Sequence, residues 1–554
     1  MHRTNRIKLS SAVAFAAMLG IGACREGPLD VKNRNQPSVP TSPKEVETFI
    51  SKLMQQEWNG NQGATGNVGV QMSVMSLESH SALANFGMGS RAAIPRGPIS
   101  NALGNSTQSE NFRDFDFFTR NGRSAANLIG GMQGYIKAGG STGTVQTDRR
   151  ALSFGYYNLG YALGYLAMIY DSAAVLAPGL AADEIPPLSA STAVMNAAIQ
   201  MLDSAELYGS NMATIPSEWV SGTAIPSARW IQVIRSHRAR FRAGVARTPT
   251  QRAAVDWTKV IADANNGITS DFIINFNNAA GWAAGWRAQF AVEATWAQMT
   301  PFVLGMADTA RAYDAWLATP LTSRTPFLMR TPDLRFPSGE SRAAQQAFTG
   351  ASRAGPPAGC ATTVTAARCA ILYFRNRPAG DDSPAEPWGN WFYDNWRFWD
   401  VRASLTAISP IVEMSVTEND MLAAEGHIRA GNVAAAATLI DKTRVRSGLA
   451  PVTGMTSLTA EVPGGNACVP RVPQGPTFTS TACGTIFEAL KWEKRMETSF
   501  TGYGQWFFDS RGWGDLVRNT VLEWPVPWQE LSARLNLNFY TTSNSRAAVG
   551  TYGF

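Results

Sequence analysis

From Ala151 to Tyr170 the chain reads ALSFGYYNLGYALGYLAMIY, with no charged side chain. That length reaches the roughly 20 apolar residues of a membrane span. The pattern argues for something else. Leu152, Tyr156, Leu159, Leu163 and Leu166 recur at helical spacing on one face. Tyr157, Tyr161 and Tyr165 form a second stripe, with Gly155, Gly160 and Gly164 between. Phenols, Asn158 and three glycines suit a helix packed among other helices, where hydroxyls find partners. The segment is predicted to be a buried core helix.

Helical periodicity continues on both sides. PKEVETFISKLMQQEW places Val46, Phe49, Ile50, Leu53 and Met54 on one face, with Thr41 or Ser42 as cap, Pro43 in the first turn and Glu45 behind it. Further on, Met421, Leu422, Ala424 and Ile428 mark one helix, Gly431-Asn432 a turn, and Val433, Ala436, Ala437 and Ile440 a second. Gly448 ends that helix and Pro451 follows it. The many alanines allow the close helix–turn–helix approach of a tetratricopeptide-type repeat. Similar pairs are expected at about 193–209 with 228–266 and at 41–58 with 125–170. Long irregular regions rich in Gly, Pro, Trp and Asn are expected near 60–120, 270–300 and 320–400; segments of such length in a compact domain are usually functional.

The first residues read differently. Arg3, Arg6 and Lys8 precede a short apolar run from about Ala12 to Gly22, the form of a secretory signal peptide over 1–23. The run ends in Ile21-Gly22-Ala23-Cys24, which resembles a bacterial lipobox, so Cys24 is the expected lipidation site. Two or more acyl chains hold a protein stably at a membrane. Arg25, rather than Asp, follows the cysteine, which points to the outer membrane. Residues 24–40, rich in Pro, Asn and charge, read as a flexible tether.

Composition narrows the classes. With 45% hydrophobic and 10% aromatic residues among 554, the chain can bury a large core. Of 48 basic residues against 42 acidic, three lie in the leader, so the surplus without it is only three, and no basic block stands out. Nucleic acid is not an expected partner. Beyond Cys24 the cysteines fall in two close pairs, Cys360 with Cys369 and Cys468 with Cys483. Disulfides within each pair are expected for an exported chain, although four cysteines allow three pairings. His80, His237 and His427 are scattered, so no metal site is expected.

The C-terminal run WEKRMETSFTGYGQWFFDSRGWGDL, the segment WPVPWQEL…NLNFY, the helical pair around AAEGHIRAGNVAAAATLIDKTRVRSGLAP and the tether LDVKNRNQPS together resemble the SusD/RagB family of outer-membrane lipoproteins. Glu493-Lys494-Arg495-Met496-Glu497 resembles the family's acidic-basic-basic-x-Glu helix. Gly502, Trp506, Asp509 and Arg511 resemble the segment after it. Pro525, Pro527, Glu530, Leu531 and Asn536 resemble the closing one. Thr501, Ser510 and the Gly504-Gln505 insertion depart from the pattern and mark a divergent branch. The resemblance implies an all-α, mostly helical fold of tetratricopeptide-like pairs with long loops and little β structure, forming one domain over 41–554. It also implies a lid on a TonB-dependent β-barrel transporter of the SusC-like kind, one that captures a glycan or peptide. No cofactor is implied.

Glu493 and Glu497 stand one helical turn apart and could be read as the acid and base of a glycosidase. With cations beside them, a structural ion-pair network of Glu493, Arg495, Glu497, Asp509 and Arg511 is the expectation, and no catalytic residue is assigned. No nucleophile-elbow, zincin or P-loop motif is present. The run EPWGNWFYDNWRFWDVR offers the strongest binding chemistry: Trp388, Trp391 and Tyr393 could face sugar rings, while Asn390, Asp394, Asn395 and Arg397 take hydroxyls. Trp282 and Trp286 form a second candidate group. The expectation is a surface-exposed outer-membrane lipoprotein that binds an oligosaccharide or similar nutrient and is not an enzyme. The rival readings are a surface polysaccharide hydrolase and a tetratricopeptide-type adaptor without ligand.

Overall fold

The computed structural model describes residues 40–63, 67–81, 83–105, 108–181, 183–283, 298–348, 360–361, 363–378, 386–398, 408–542 and 545–554. Cys24 lies outside them. The body from Ser42 to Phe554 is mostly helical. The N-terminal amphipathic stretch forms two helices, α1 (Pro43–Ile50) and α2 (Leu53–Trp58). Ser42 caps the first by accepting from the Glu45 N–H at 3.3 Å. Phe49, placed by periodicity on the buried face, is exposed, while Val46 and Ile50 of the same helix are buried.

The expected irregular region 60–120 is partly helical. α3 (Val68–Met75) is buried along its whole length, and α4 (Gln108–Lys137) begins inside the region. The charge-free segment lies in α5 (Val145–Ile169), opened by a Thr144/Thr147 capping box and buried at every residue from Ala151 onward. No described helix is long and apolar enough to cross a membrane.

The glycines explain how α5 is surrounded. A Cβ on Gly155 would sit 2.9 Å from Ile129 Cγ1 of α4, and one on Gly160 would sit 2.9 Å from Leu202 Cγ of α6 (Ser191–Gly209). On Gly164 it would sit 2.4 Å from Phe241 Cε2 of α7 (Ser227–Gly244). Three neighbouring helices are thus seated in notches that no side chain larger than hydrogen leaves open. The tyrosine stripe packs in the same core: Tyr165 stacks on Phe118 at 5.5 Å and meets the Phe241 ring edge-on at 5.5 Å.

α8 (Trp257–Asn265) packs against α9 (Val416–Arg429), which pairs through Gly431 with α10 (Val433–Arg444). Ser415 and Asn432 cap α9 and α10 through the amides of Glu418 and Ala435. Gly448, at φ +77°, allows the Leu449 N–H to return to the Arg444 carbonyl at 3.1 Å. α11 (Ile486–Thr498) and α12 (Gln505–Trp513) complete the scaffold. The β structure among the described residues is four antiparallel two-stranded ribbons: Ser172–Ala174 with Leu188–Ala190, Phe272–Phe276 with Ser409–Met414, Phe374–Asn376 with Tyr393–Asn395, and Arg471–Gln474 with Ser480–Cys483. Regions 270–300 and 320–400, expected to be irregular, therefore hold strands and short helices. Cys360 is bonded to Cys369 and Cys468 to Cys483, across sequence separations of 9 and 15.

Candidate functional site

The aromatic run at 386–398 divides between core and surface. Trp391 and Tyr393 are wholly buried. The Trp391 indole donates to the Phe327 carbonyl at 2.8 Å, and its ring packs 4.6 Å from that of Tyr393. The Tyr393 hydroxyl donates to Gln345 Oε1 at 2.6 Å and accepts from the Met329 amide at 3.2 Å. Both rings are anchors of an apolar core beneath the loops and present no face to a ligand here. Trp282 is likewise buried, 6.4 Å from the Trp58 ring. The second aromatic group cannot be assembled further, since Trp286 lies outside the described residues.

Of the polar residues expected to take hydroxyls, Asp394 pairs with Arg375 at 2.9 Å in the interior, and Asn395 is buried. Arg397 donates to the Glu497 carbonyl at 2.6 Å and lies 4.5 Å from the Tyr373 ring. Trp388, Asn390 and Phe392 are half-buried over that core, and the Trp388 Nε1 is itself buried. The Arg342 guanidinium stands 4.3 Å from the Phe392 centroid. The turn bearing Trp388 is clasped from below. His80 Nε2 lies 2.7 Å from Glu386 Oε2, and Gly389 sits against the His80 ring so closely that a Cβ would be 1.9 Å from Cδ2. A fixed turn that offers part of an indole and a phenyl ring beside amide and guanidinium groups can hold the apolar face of a ring and hydrogen-bond its edge.

The carboxylates of α11 face inward. Glu493 pairs with Arg335 at 2.8 Å and Arg444 at 3.6 Å, and Glu497 with Arg446 at 3.1 Å. Burial alone would raise Glu497, but Arg397, Arg335 and Arg446 outweigh it and hold it below the usual carboxylate range. The expected single network is instead three. Glu493 and Glu497 join Arg335 and Asp333. Lys494 and Arg252 share Asp509. Arg495 and Lys491 share Asp515. Successive residues on a helix point about 100° apart, so neighbours in sequence serve different clusters. Arg511 belongs to none of them. Its Nη1 and Nη2 donate to the Leu522 and Gly244 carbonyls at 2.7 and 2.9 Å, and it forms no ion pair among the described residues.

A second buried polar group escaped sequence reasoning. Glu57, Asn61, Tyr157, Tyr161 and Glu413 line an internal cavity beside α5. Tyr161 donates to Glu413 at 2.9 Å. Burial, helped by the nearby Glu413 carboxylate and opposed by Asn121, pushes Glu57 well above the usual carboxylate range. Its sequence signal was only a Glu on an amphipathic helix, indistinguishable from a solvated one. Among the described residues no group of three or more His, Cys, Asp or Glu side chains is placed to hold a metal ion.

No family model and no curated protein matches the chain. Solved structures do. A SusD homolog from Parabacteroides distasonis superposes with a TM-score of 0.52 at 14% identity, covering 84% of this chain and 84% of its own. A SusD superfamily protein from Bacteroides fragilis gives 0.50 at 12% identity, covering 90% of this chain and 99% of its own. At such low identity these matches speak to architecture, and they agree with the helix pairs and short ribbons described above. The chain has the SusD-like fold.

Proposed function

We propose that the chain is a divergent SusD/RagB lipoprotein that captures an oligosaccharide or similar nutrient at the outer surface of the cell and passes it to a TonB-dependent β-barrel. The observation that carries the reading is the clasped turn with its half-buried Trp388, set in loops on a SusD-like scaffold. Attachment through Cys24 and placement at the outer membrane belong to the same proposal, supported by the leader and the lipobox-like sequence. The inward, arginine-paired Glu493 and Glu497 favour capture over hydrolysis, because a carboxylate held by cations in the interior is not poised to protonate a glycosidic oxygen.

A glycan and peptide array probed with the purified protein tests the binding, and co-purification of a β-barrel from membranes tests the partner. The expected result is binding without release of reducing ends, weakened at least tenfold by Trp388→Ala. An indole that loses its stacked ring loses about 1.4 kcal/mol or more at that ratio. Turnover of the bound glycan would favour a hydrolase. Binding unchanged by Trp388→Ala would move the site away from this turn.

A further inference from the structure

A cleft of about 460 Å³ opens where the C-terminal segment crosses the ends of α7 and α12. Arg247 and Thr248 enter it from beyond α7, Arg511 and Trp513 from α12, and Arg546 and Thr551 from the C-terminal segment. No carboxylate lines it among the described residues. Three of its lining residues carry a buried N–H donor without a partner: Nε of Arg247, Nε of Arg511 and Nε1 of Trp513. Arg511 is 1% exposed and Trp513 5%.

The surrounding bonds make the imbalance specific. Arg247 donates to Ser191 Oγ and to the Ala167 and Tyr170 carbonyls, and pairs with Glu523. Among the described residues Arg511 and Arg546 donate to backbone carbonyls alone: Leu522 and Gly244 for the first, Asn519 and Arg96 for the second. The nearby Asp515 is already held by Lys491 and Arg495. Burial, then the neighbouring Arg247 and Arg252 cations, keep Arg511 well below the usual guanidinium range in spite of Glu523. Buried donors without acceptors are rare in folded proteins and call for an occupant. Water would satisfy the N–H groups and leave the excess positive charge uncompensated. A carboxylate, sulfate or phosphate brings several acceptor oxygens and a negative charge together, the combination that guanidinium groups bind best.

We propose that this cleft is an oxyanion-binding site in which Arg247, Arg511 and Trp513 donate from the floor and the half-buried Arg546 closes the anion in. The occupant is a free oxyanion or one borne on a sugar ring. The site is built from residues other than those of the Trp388 turn and stands whether or not that turn binds glycan.

Calorimetric titration of the purified full-length protein at constant ionic strength, with sodium sulfate, sodium glucuronate and glucose in turn, tests it. The expected result is saturable one-site binding of at least one anion and none of glucose. Equal affinity for the two anions assigns a free oxyanion; tighter glucuronate binding assigns a sugar-borne one. Trp513→Phe keeps an aromatic ring but removes the N–H together with the fused five-membered ring, and should weaken binding several-fold. Arg546→Gln, at the half-buried edge, should weaken it about tenfold. Failure of both anions to saturate a single site would overturn the proposal, as would wild-type affinity in both variants.

Discussion

Arg252 and Glu425 meet as a buried, two-pronged pair: Nε reaches Oε1 at 2.9 Å and Nη2 reaches Oε2 at 2.5 Å, with both side chains fully excluded from solvent. Arg252 also reaches Asp509 at 3.0 Å. The pair ties the segment Pro249–Ala253 to α9, and Asp509 extends the tie to α12. Burial alone would raise Glu425, but Arg252 outweighs it and brings the carboxyl down to about 2. Its stabilising contribution is therefore present above about pH 4.5 and lost as pH falls through about 2.

Removing one partner leaves the other charged and buried. Glu425→Gln should lower stability by about 3–5 kcal/mol at neutral pH. The double change Glu425→Leu with Arg252→Met should recover much of that loss, because it removes both charges. Thermal unfolding followed by circular dichroism checks the pair. A double variant no more stable than the single one would contradict it.

The notches of α5 predict opposite signs for two similar substitutions. Gly164→Ala drives a methyl into the Phe241 ring at 2.4 Å and should destabilise by about 1–3 kcal/mol. Gly131→Ala, within α4, meets nothing within 4 Å and should stabilise by about 0.5–1 kcal/mol. Unfolding midpoints that move in the same direction for both would count against the packing described.

Asp114 gives a pH signature. Its carboxylate accepts from the Val68 amide at 3.3 Å and from the Tyr503 hydroxyl, and burial pushes it up to about 7. The fold favours the protonated form, so this contribution is fully present below about pH 4 and lost as pH rises through about 7. The stability difference between wild type and Asp114→Asn should fall across that window by up to about 4 kcal/mol. His237 acts in the opposite sense. Burial, then Arg240, lower it to about 3, so its contribution is present above about pH 6.5 and fades on acidification. The difference curve, measured by denaturant unfolding from pH 4 to 8, cancels the His237 effect. A flat difference would refute the Asp114 assignment.

The Cys468–Cys483 bond closes a loop of sequence separation 15 beside α11. Replacing both cysteines by serine should cost about 3 kcal/mol through the freed unfolded chain. Wild-type protein in reductant, which opens the Cys360–Cys369 bond as well, should lose at least as much. An unchanged melting temperature in both would show that the loop is already ordered without the bond.

What the sequence disclosed followed from locality. The stripes of Leu152–Leu166 and Tyr157–Tyr165, the capped pair around Gly431 and the short cysteine spacings are patterns a helix or a small loop imposes on near neighbours. What it concealed depends on partners far along the chain. Glu493 meets Arg335, at a separation of 158 residues, so the adjacent Lys494 and Arg495 looked like its partners and are not. Trp391 and Trp388 are three positions apart and chemically alike, yet one is wholly buried and the other only partly; only the fold of the loop over Phe327 and Tyr393 decides between them. The orphaned donors of the C-terminal cleft are contributed by segments separated by hundreds of residues and leave no local trace.

The three glycine notches also divide the labour of the molecule. A helix with no room for a methyl group on three sides cannot tilt or shift to suit a new ligand without unseating the three helices lodged in it. Any change of shape therefore has to be carried by the turns and ribbons that rest on this axle, and the axle itself serves as a fixed reference against which those loops are positioned.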